Sequence, residues 1–219
     1  MIAIVDYDAG NIRSVAGALE RLGQQYELTA DPERLLAADR VILPGVGNAA
    51  HALESLRQKG LCEVIRSLRR PVLGICVGLQ ILCRDSEEGP VEGLGVFDAH
   101  VRRFPDEPQI KVPHMGWNAL GNLDGKLMKG LQSGTFVYFV HSYYPSLCQD
   151  TVATCRHGST LFSAALRYEN FYGTQFHPEK SGDIGWRTDS LLPQCEPLCK
   201  GRRQQGCGKE MANPVGAKA

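Results

Sequence analysis

The feature that most constrains the fold is an alternation of strand-like and helix-like patterns through the first 85 residues. Residues 1–5 and 40–43 are short apolar runs of the kind found in buried strands. Asn11 and Asp31, the latter followed by Pro32, carry the signals that begin helices. Such a strand–helix repeat is typical of parallel sheets flanked by helices. We therefore predict an α/β fold with an open, mostly parallel, doubly wound sheet.

The alternation continues to about residue 85 and then stops. A helical segment covers 49–68 with a break at Gly60, and a strand at 72–75 leads through Cys76 into a helix that reaches Leu82. Beyond Gly89 the pattern becomes one of strands separated by turns, which indicates additional antiparallel strands in the same sheet or in a second one. These predicted strands lie at 96–103, 135–144, 152–155, 161–166 and 170–176.

The C-terminal segment differs from the rest of the chain. It contains three prolines and no extended helical pattern, so we predict a domain at 1–185 and a poorly ordered, atypical tail at 186–219. Cys195, Cys199 and Cys207 in the tail have no histidine nearby and lack the repeated ligand spacing of zinc modules. We predict no metal site there and no cofactor for the chain.

Charge and hydropathy exclude several classes of function. The 24 basic and 24 acidic side chains cancel, so no overall field would attract a nucleic acid or an anionic membrane. No apolar run reaches the roughly 18 residues of a membrane span. Asp6 and Asp8 interrupt the N-terminus, unlike a signal peptide. We therefore expect a cytoplasmic protein whose eight cysteines are thiols.

One cysteine lies between two glycines, in the order Gly74-Ile-Cys76-Val-Gly78. A strand that ends in a nucleophile and turns sharply into a helix forms a nucleophile elbow, and the glycines let the two segments approach. The elbow places the sulfur at a helix N-terminus, which favours thiolate, and points the amide of Val77 toward an oxyanion. The alternative is a buried cysteine that fills the core at the end of a strand.

A base for this cysteine is available about a hundred residues later, in FHPEKS at 176–181. Pro178 favours an extended conformation at His177, and in an extended chain His177 and Glu179 project to the same side. A carboxylate that is hydrogen-bonded to one imidazole nitrogen fixes the tautomer of the ring. The alternative is a surface loop. A second oxyanion donor is available in the turn at 44–47, whose glycines leave a backbone N–H free to face the same site.

These motifs together resemble the class I, or triad, glutamine amidotransferases, which have a flavodoxin-like α/β fold. Further segments are similar to the glutaminase subunits of imidazole glycerol phosphate synthases, a branch of that family, and the resemblance runs from residue 1 to about 185. The segments are VDYDAGNI at 5–12, LPGVG at 43–47, GICVGLQ at 74–80, SEEG at 86–89, KVPHMGWN at 111–118, YFVHSYY at 138–144 and QFHPEKS at 175–181.

The resemblance implies a catalytic triad. Cys76 would attack the side-chain amide of glutamine, His177 would transfer the protons, and Glu179 would orient His177. The oxyanion donors implied are Val77, Gly45 and Val46, the last two after a peptide flip.

The resemblance also implies a substrate site and a partner. Glu88 would pair with the α-ammonium of glutamine, or else be a solvated loop charge, and His141 would line the pocket or be structural. Ammonia would pass to a (β/α)8-barrel cyclase subunit in a heterodimer, and Trp117 would face that subunit unless it is a core tryptophan. The implied substrate-binding residues are Gly47, Gln80, Glu88, His141, Ser142 and Tyr143, and the implied interface residues are Asn11, Trp117 and Lys180.

The remaining histidines and two other functions stay open. His114 would lie near the interface, while His51, His100 and His157 would be surface or structural groups. Members of the family usually end in an apolar helix that the tail here does not match. The chain is therefore a glutaminase activated by its cyclase, a binding or regulatory subunit whose catalysis has lapsed, or a free-standing γ-glutamyl hydrolase or peptidase.

Overall fold

A seven-stranded sheet forms the centre of the computed structural model, which describes residues 1–8, 11–125, 128 and 130–182. The proposed boundary at 185 and the tail at 186–219 lie outside these residues. In sheet order the strands are β11 (Thr151–His157), β12 (Thr160–Tyr168), β13 (Phe171–Thr174), β4 (Val72–Ile75), β3 (Arg40–Leu43), β1 (Ile2–Val5) and β2 (Tyr26–Thr29).

The strand directions confirm the predicted fold class. Strands β2, β1, β3, β4 and β13 run parallel to one another, and β12 and β11 add antiparallel pairs at the edge beside β13. Every residue of β1, β4 and β13 is buried. Strands buried on both faces are what a parallel sheet flanked by helices requires.

Five α-helices occur among the described residues, and two of them begin at the capping signals predicted from the sequence. The side chain of Asn11 accepts from the N–H of Ser14, and that of Asp31 accepts from the N–H of Glu33. The predicted break at Gly60 separates two helices. The helices are α1 (Ile12–Arg21), α2 (Pro32–Ala37), α3 (Ala49–Gln58), α4 (Leu61–Ser67) and α5 (Val77–Gln80), and a short 3-10 helix covers Pro178–Lys180.

Two small sheets pack beside the central one and complete the cavity described below. In one, the order is β10 (Tyr143–Pro145), β7 (His100–Arg103), β5 (Asp85–Ser86) and β6 (Val91–Glu92). The other pairs β8 (His114–Ala119) with β9 (Phe136–His141) in antiparallel register. Antiparallel strands were predicted either in the central sheet or in a second sheet. They occur in the central sheet and also in the two small sheets.

Several predicted elements are shorter than expected: the strand predicted at 170–176 covers Phe171–Thr174, the strand predicted at 135–144 is interrupted at Ser142, and a helix and a strand that contact each other are also shorter. The helix after Cys76 ends at Gln80 rather than Leu82, and the strand predicted from residue 96 begins at His100. The carbonyl of Leu82 accepts the N–H groups of Val96 and Phe97, at 2.8 and 3.0 Å. The N–H groups of Val96 and Phe97 bonded in this way are not available for pairing with another strand. At the end of the helix, the N–H groups of Leu82 and Cys83 donate to the carbonyls of Leu79 and Gln80, three residues earlier, so this last turn is not α-helical.

Candidate active site

Cys76 lies at a sharp turn between a buried strand and a helix. Strand β4 ends at Ile75, helix α5 begins at Val77, and Cys76 between them has φ 54° and ψ −109°. A conformation this rare costs a residue with a side chain about 1–3 kcal/mol and persists only where the surroundings impose it. The predicted nucleophile therefore has a strained backbone.

The glycines around Cys76 allow three backbone segments to approach closely. A Cβ on Gly74 would lie 2.6 Å from the carbonyl oxygen of Gly78, and a Cβ on Gly78 would lie 1.9 Å from that of Leu43. A Cβ on Gly45 would lie 2.2 Å from the amide nitrogen of Gly78. No side chain fits at these distances, so the glycines are explained by the elbow and not by a cysteine that merely fills the core.

His177 and Glu179 form a buried pair. Nδ1 of His177 lies 2.7 Å from Oε1 of Glu179, and the two side chains are 2% and 3% exposed, so the surface-loop alternative for this segment is wrong. Because the carboxylate accepts, Nδ1 carries the proton and Nε2 is the free nitrogen. Within the described residues Nε2 has no hydrogen-bond partner, and His177 lines the same cavity as Cys76. Nε2 is therefore the nitrogen available to the thiol.

The backbone around His177 is tied to the neighbouring strand β9. The N–H of His177 donates to the carbonyl of Tyr138 at 2.9 Å. The hydroxyl of Ser181 donates to the carbonyl of His177 at 2.6 Å and accepts from the N–H of Tyr138 at 3.1 Å. These three hydrogen bonds fix where the imidazole leaves the backbone.

The surroundings of His177 favour its protonated form. Burial lowers the pKa of His177, but the neighbouring Cys76 sulfur and the Glu179 carboxylate outweigh burial and raise the pKa to about 9. An imidazole with this pKa holds a proton near neutrality when the sulfur beside it is a thiolate. The pair can therefore take up the proton of the thiol and later deliver one to a leaving group.

A cavity of about 280 Å³ opens beside the elbow. Small-molecule sites commonly measure about 300–1,000 Å³, so this one suits a ligand the size of an amino acid. Cys76 and His177 lie in its wall. All six residues predicted to bind glutamine line it as well, namely Gly47, Gln80, Glu88, His141, Ser142 and Tyr143.

Two of the three predicted oxyanion donors line this cavity, and the third lies behind its wall. Val77 lines the cavity and is the first residue of α5, so its N–H has no acceptor within the helix. Val46 also lines the cavity, whereas Gly45 is buried behind it against Gly78. The hydroxyl of Tyr7 donates to the carbonyl of Pro44 and anchors this turn.

Glu88 is half-buried and lines the cavity, so it is not a freely solvated loop charge. Its Oε2 accepts from the N–H of Ala49, the first residue of α3, at 2.8 Å. Burial raises the pKa of Glu88, and the Ala49 N–H only partly offsets that rise. A ligand cation that reached this carboxylate would favour its ionised form.

His141 both lines the cavity and is satisfied structurally. Its Nδ1 lies 2.8 Å from the carbonyl oxygen of Tyr143 and must therefore be the protonated nitrogen. Its Nε2 then accepts from Nδ1 of His114 at 3.2 Å, and Nε2 of His114 accepts from the side-chain amide of Asn118 at 3.1 Å. Burial, followed by the neighbouring histidines, lowers the pKa of His141 and brings that of His114 to about 4. Both rings are thus neutral near pH 7.

The other histidines occupy structural or surface positions. His51 is exposed in the first turn of α3. His100 contacts Asp85 at 2.6 Å, and Nε2 of His157 lies 3.0 Å from the carbonyl of Lys111. His114 shares β8 with Trp117, but its own side chain is buried.

The predicted interface residues lie around one surface formed by β8, β9 and the 3-10 helix. Trp117 is 53% exposed, so it is not a core tryptophan. Its ring packs edge-on against Tyr138, and the ammonium of Lys180 lies 5.8 Å from the centre of the same Tyr138 ring. Asn11 caps α1, which contacts the 3-10 helix. Met115 on β8 is also exposed, at 64%.

Sequence analysis assigned no role to three residues beside the nucleophile. The carbonyl of Val140 lies 3.9 Å from Sγ of Cys76, and Nε2 of Gln175 lies 3.6 Å from it. The Cys76 sulfur also acts electrostatically on Tyr7, whose pKa is raised by burial and then by this sulfur. Of these three residues, only Gln175 could have been found from the sequence. In an extended chain residues two apart project to the same side, so Gln175 is expected on the side of His177 and Glu179.

Two other kinds of site are not found in the described part of the chain. Among the described residues, no helix is long and apolar enough to cross a membrane. In the same part of the chain, no three or more His, Cys, Asp or Glu side chains are grouped so as to hold a metal ion.

Comparison with known proteins gives the same family from several sources. A sequence model of the glutamine amidotransferase class-I family matches residues 3–185. The imidazole glycerol phosphate synthase subunit HisH of Bacteroides thetaiotaomicron is 53% identical over 187 residues, which cover 85% of this chain and 95% of that protein. The subunits HisH of Gloeobacter violaceus and Yersinia pseudotuberculosis are 47% and 44% identical, over 85% and 84% of this chain and 85% and 94% of their own lengths.

Solved structures with lower identity share the fold. A structure described as a glutamine amidotransferase aligns with a TM-score of 0.66 at 22% identity, covering 87% of this chain and 97% of that one. The structure of PurLQS from Thermotoga maritima aligns with a TM-score of 0.61 at 20% identity, covering 87% and 96%.

Proposed function

We propose a function on the premise that this chain belongs to the glutamine amidotransferase class-I family and, within it, to the HisH subunits of imidazole glycerol phosphate synthase. The chain is a glutamine amidotransferase of histidine biosynthesis. It hydrolyses glutamine to glutamate and ammonia through a cysteine thioester, and it passes the ammonia to a cyclase subunit.

One observation carries the proposal more than any other. The strained Cys76 and His177, about a hundred residues apart in the chain, line one amino-acid-sized cavity, and His177 is bonded behind that wall to the buried Glu179. This is the arrangement of a nucleophile, a base and an orienting carboxylate. A surface loop or a core cysteine would require neither the strain nor the buried ion pair.

The reaction begins when Sγ of Cys76 attacks the side-chain amide carbon of glutamine and His177 takes the thiol proton. The tetrahedral intermediate collapses as His177 gives that proton to the amide nitrogen, which leaves as ammonia. Water, deprotonated by His177, then cleaves the thioester and releases glutamate. Glu179 keeps Nδ1 protonated throughout, so that Nε2 is the nitrogen that exchanges protons.

Two sets of groups support this chemistry. The N–H of Val77 and an N–H from the turn at Gly45 and Val46 would stabilise the oxyanion, each by about 3 kcal/mol. In the wall of the cavity, Glu88 would bind the α-ammonium of glutamine, and Gln80 would accept a hydrogen bond from the substrate. Gly47, His141, Ser142 and Tyr143 would complete the pocket.

The relatives are named as subunits, which implies that this chain also has a partner subunit. We assign the partner as a (β/α)8-barrel cyclase that consumes the ammonia. The surface around Trp117, Lys180 and the start of α1 at Asn11 supports this assignment, because exposed aromatic residues such as Trp117 and methionines such as Met115 are enriched at interfaces. We place the complex in the cytoplasm, and the five cysteines of the described region are free thiols.

The direct test measures glutamate release from glutamine by the purified chain, with and without the cyclase and its ligand. We expect stimulation by the cyclase and no activity for Cys76→Ala. If the chain without the cyclase hydrolysed γ-glutamyl peptides as fast as the chain with the cyclase hydrolyses glutamine, the free-standing hydrolase would be favoured. A wild-type chain whose Cys76 does not react with a glutamine-like diazoketone would favour the lapsed subunit.

A further inference from the structure

The carboxamide of Gln175 lies between the nucleophile and the wall of the glutamine-binding cavity. Gln175 is fully buried, with no exposed surface. Its Nε2 lies 3.6 Å from Sγ of Cys76, and its Oε1 accepts from Nε2 of Gln80 at 3.0 Å. Since Gln80 and Cys76 both line the cavity, Gln175 connects a wall residue to the reacting sulfur.

The surrounding hydrogen bonds determine which end of this carboxamide faces the sulfur. The carbonyl of Tyr143 can only accept, so the Gln80 atom 2.8 Å away must be the amide nitrogen. The second hydrogen of that nitrogen points at Gln175, which must then present its oxygen there. The nitrogen of Gln175 is left to face Cys76. The carbonyl of Tyr143 thus fixes the orientation of two amides in succession.

An N–H in this position favours one ionisation state of the sulfur. A thiol can donate its proton to the carbonyl of Val140, 3.9 Å away, or to Nε2 of His177. A thiolate can only accept, and Gln175 supplies a donor. Hydrogen bonds to an ionised partner are stronger than neutral ones, and the gain is larger in a dry site.

The titratable groups that face the sulfur are His177, held by Glu179, and Tyr7. Burial and then the neighbouring sulfur raise the pKa of Tyr7, whose hydroxyl already donates to the carbonyl of Pro44. Tyr7 therefore stays neutral and its proton is directed away from Cys76. Gln175 is the described side chain that offers the sulfur a neutral N–H.

We propose that Gln175 is a further catalytic residue, which donates a hydrogen bond to the Cys76 thiolate and is held in that orientation by Gln80 and the Tyr143 carbonyl. The effect on turnover depends on the proposed function. The effect on the reactivity of the sulfur does not, because it can be measured without glutamine.

The test compares two substitutions in the full chain. Gln175→Leu removes both hydrogen bonds, whereas Gln175→Glu keeps an acceptor oxygen for Gln80 and places a carboxyl group beside the sulfur. The rate of Cys76 alkylation by iodoacetamide is followed against pH, and peptide mass spectrometry distinguishes Cys76 from the other cysteines. Gln175→Leu removes the donor to Cys76 and the acceptor for Gln80 together. Gln175→Glu removes the amide donor but keeps the acceptor for Gln80.

We expect both variants to alkylate about tenfold more slowly near neutral pH, with the midpoint shifted upward by about one pH unit, as loss of a charge-assisted hydrogen bond predicts. Wild-type rates and midpoints in both would overturn the proposal.

Thr174→Val is the matched control. Thr174 precedes Gln175, is equally buried, and its hydroxyl has no hydrogen-bond partner among the described residues. Valine has the same shape, so this variant should alkylate at the wild-type rate. A tenfold loss there would mean that any change at this buried site disturbs the sulfur, and the proposal would fail.

A measurement on the wild-type chain covers the case in which the substitutions do not fold. With nitrogen-15 in the glutamine side chains, one carboxamide resonance should titrate with the midpoint of Cys76 alkylation, and Cys76→Ala should abolish that titration. Absence of such a resonance would overturn the proposal. If alkylation and titration behave as expected while glutamate release is absent, the proposed function fails and the Gln175 inference stands.

Discussion

Nδ1 of His177 lies 2.7 Å from Oε1 of Glu179, and both side chains are almost completely buried. A buried carboxylate is costly unless it is paired, and here the imidazole of His177 is its partner. The pair has a defined direction, with the proton on Nδ1 and the free Nε2 on the side of the thiol. Its charge also opposes the effect of burial and contributes to the raised pKa of His177.

The first prediction concerns the charge of Glu179. Glu179→Gln keeps an oxygen for Nδ1 but removes the negative charge, so the pKa of His177 should fall below its present value of about 9. The cyclase-stimulated kcat should then fall about 100-fold or more, within the usual range for loss of general acid–base catalysis. Steady-state kinetics of glutamate release measure the change.

Glu54→Gln is the control for that variant, because Glu54 is an exposed carboxylate on α3. It should leave kcat unchanged. A kcat for Glu179→Gln within twofold of wild type would show that the carboxylate is structural and not part of the catalytic machinery.

The second prediction concerns the close approach at the elbow. Gly78→Ala would place a Cβ 1.9 Å from the carbonyl of Leu43, and backbone on both sides leaves it no room. We expect the free energy of unfolding to drop by about 3 kcal/mol, at the upper end of overpacking effects. Gly17→Ala, in the middle of α1 with the nearest atom 3.6 Å away, should instead raise it by up to about 1 kcal/mol. Denaturant unfolding of both variants tests the contrast, and equal midpoints would contradict it.

The third prediction concerns the neutral histidines. The pKa of His114 is about 4 in the folded chain, lowered by burial and then by His157, against about 6.5 when unfolded. Between these pH values the unfolded chain binds more protons, so stability contributed by neutral His114 is full above pH 6.5 and is lost as the pH falls toward 4. Burial also lowers the pKa of His141, so its contribution to stability is lost as the pH falls in the same way.

His114→Phe keeps an aromatic ring in the stack and removes one titrating group. Its Tm should therefore fall less than that of wild type between pH 7 and pH 5, although His141 still contributes. Thermal melts at matched ionic strength measure the two differences. Equal losses of Tm would mean that protonation of His114 does not oppose folding.

The parts of the structure that sequence predicted are those set by local patterns. Caps at Asn11 and Asp31, the break at Gly60 and the elbow at Cys76 each depend on residues close together in the chain. Strand β2, at Tyr26–Thr29, was not predicted, because as an edge strand it is only partly buried and lacks an apolar run.

Long-range contacts explain the remaining omissions. Strand β8 carries Gly116 and two exposed apolar side chains, so its sequence lacks the usual alternation. The orientation of Gln175 depends on Gln80 and on a carbonyl in β10, and no spacing in the chain specifies that meeting. The separation of Gly45 from the cavity wall likewise depends on how the turn packs against α5.

A fourth prediction tests the proposed domain at 1–185. Because the tail composition gives no apolar face that could pack, a chain ending at residue 185 should melt within about 2 °C of the full chain, below the shift expected for 1 kcal/mol in a domain of this size. Differential scanning calorimetry of the two chains measures this. A Tm several degrees lower for the short chain would show that the tail contributes to the fold.

The fifth prediction concerns the partner surface. Trp117→Ala removes an exposed aromatic ring from β8 without touching the cavity, so it should weaken binding of the cyclase about 30-fold, the equivalent of a 2 kcal/mol hot spot. Stimulation of glutamate release should decline in parallel at limiting cyclase. Alkylation of Cys76 in the isolated chain should not change, because Trp117 does not line the catalytic cavity.

Leu36→Ala provides the comparison for Trp117. Leu36 lies on α2 and is 51% exposed, close to the 53% of Trp117, so the two variants lose apolar surface of similar exposure at different places. Isothermal titration with the cyclase should give wild-type affinity for Leu36→Ala. If both variants bound equally well, the cyclase would have to dock away from β8, and the ammonia would have to leave the cavity by a route that does not pass this face.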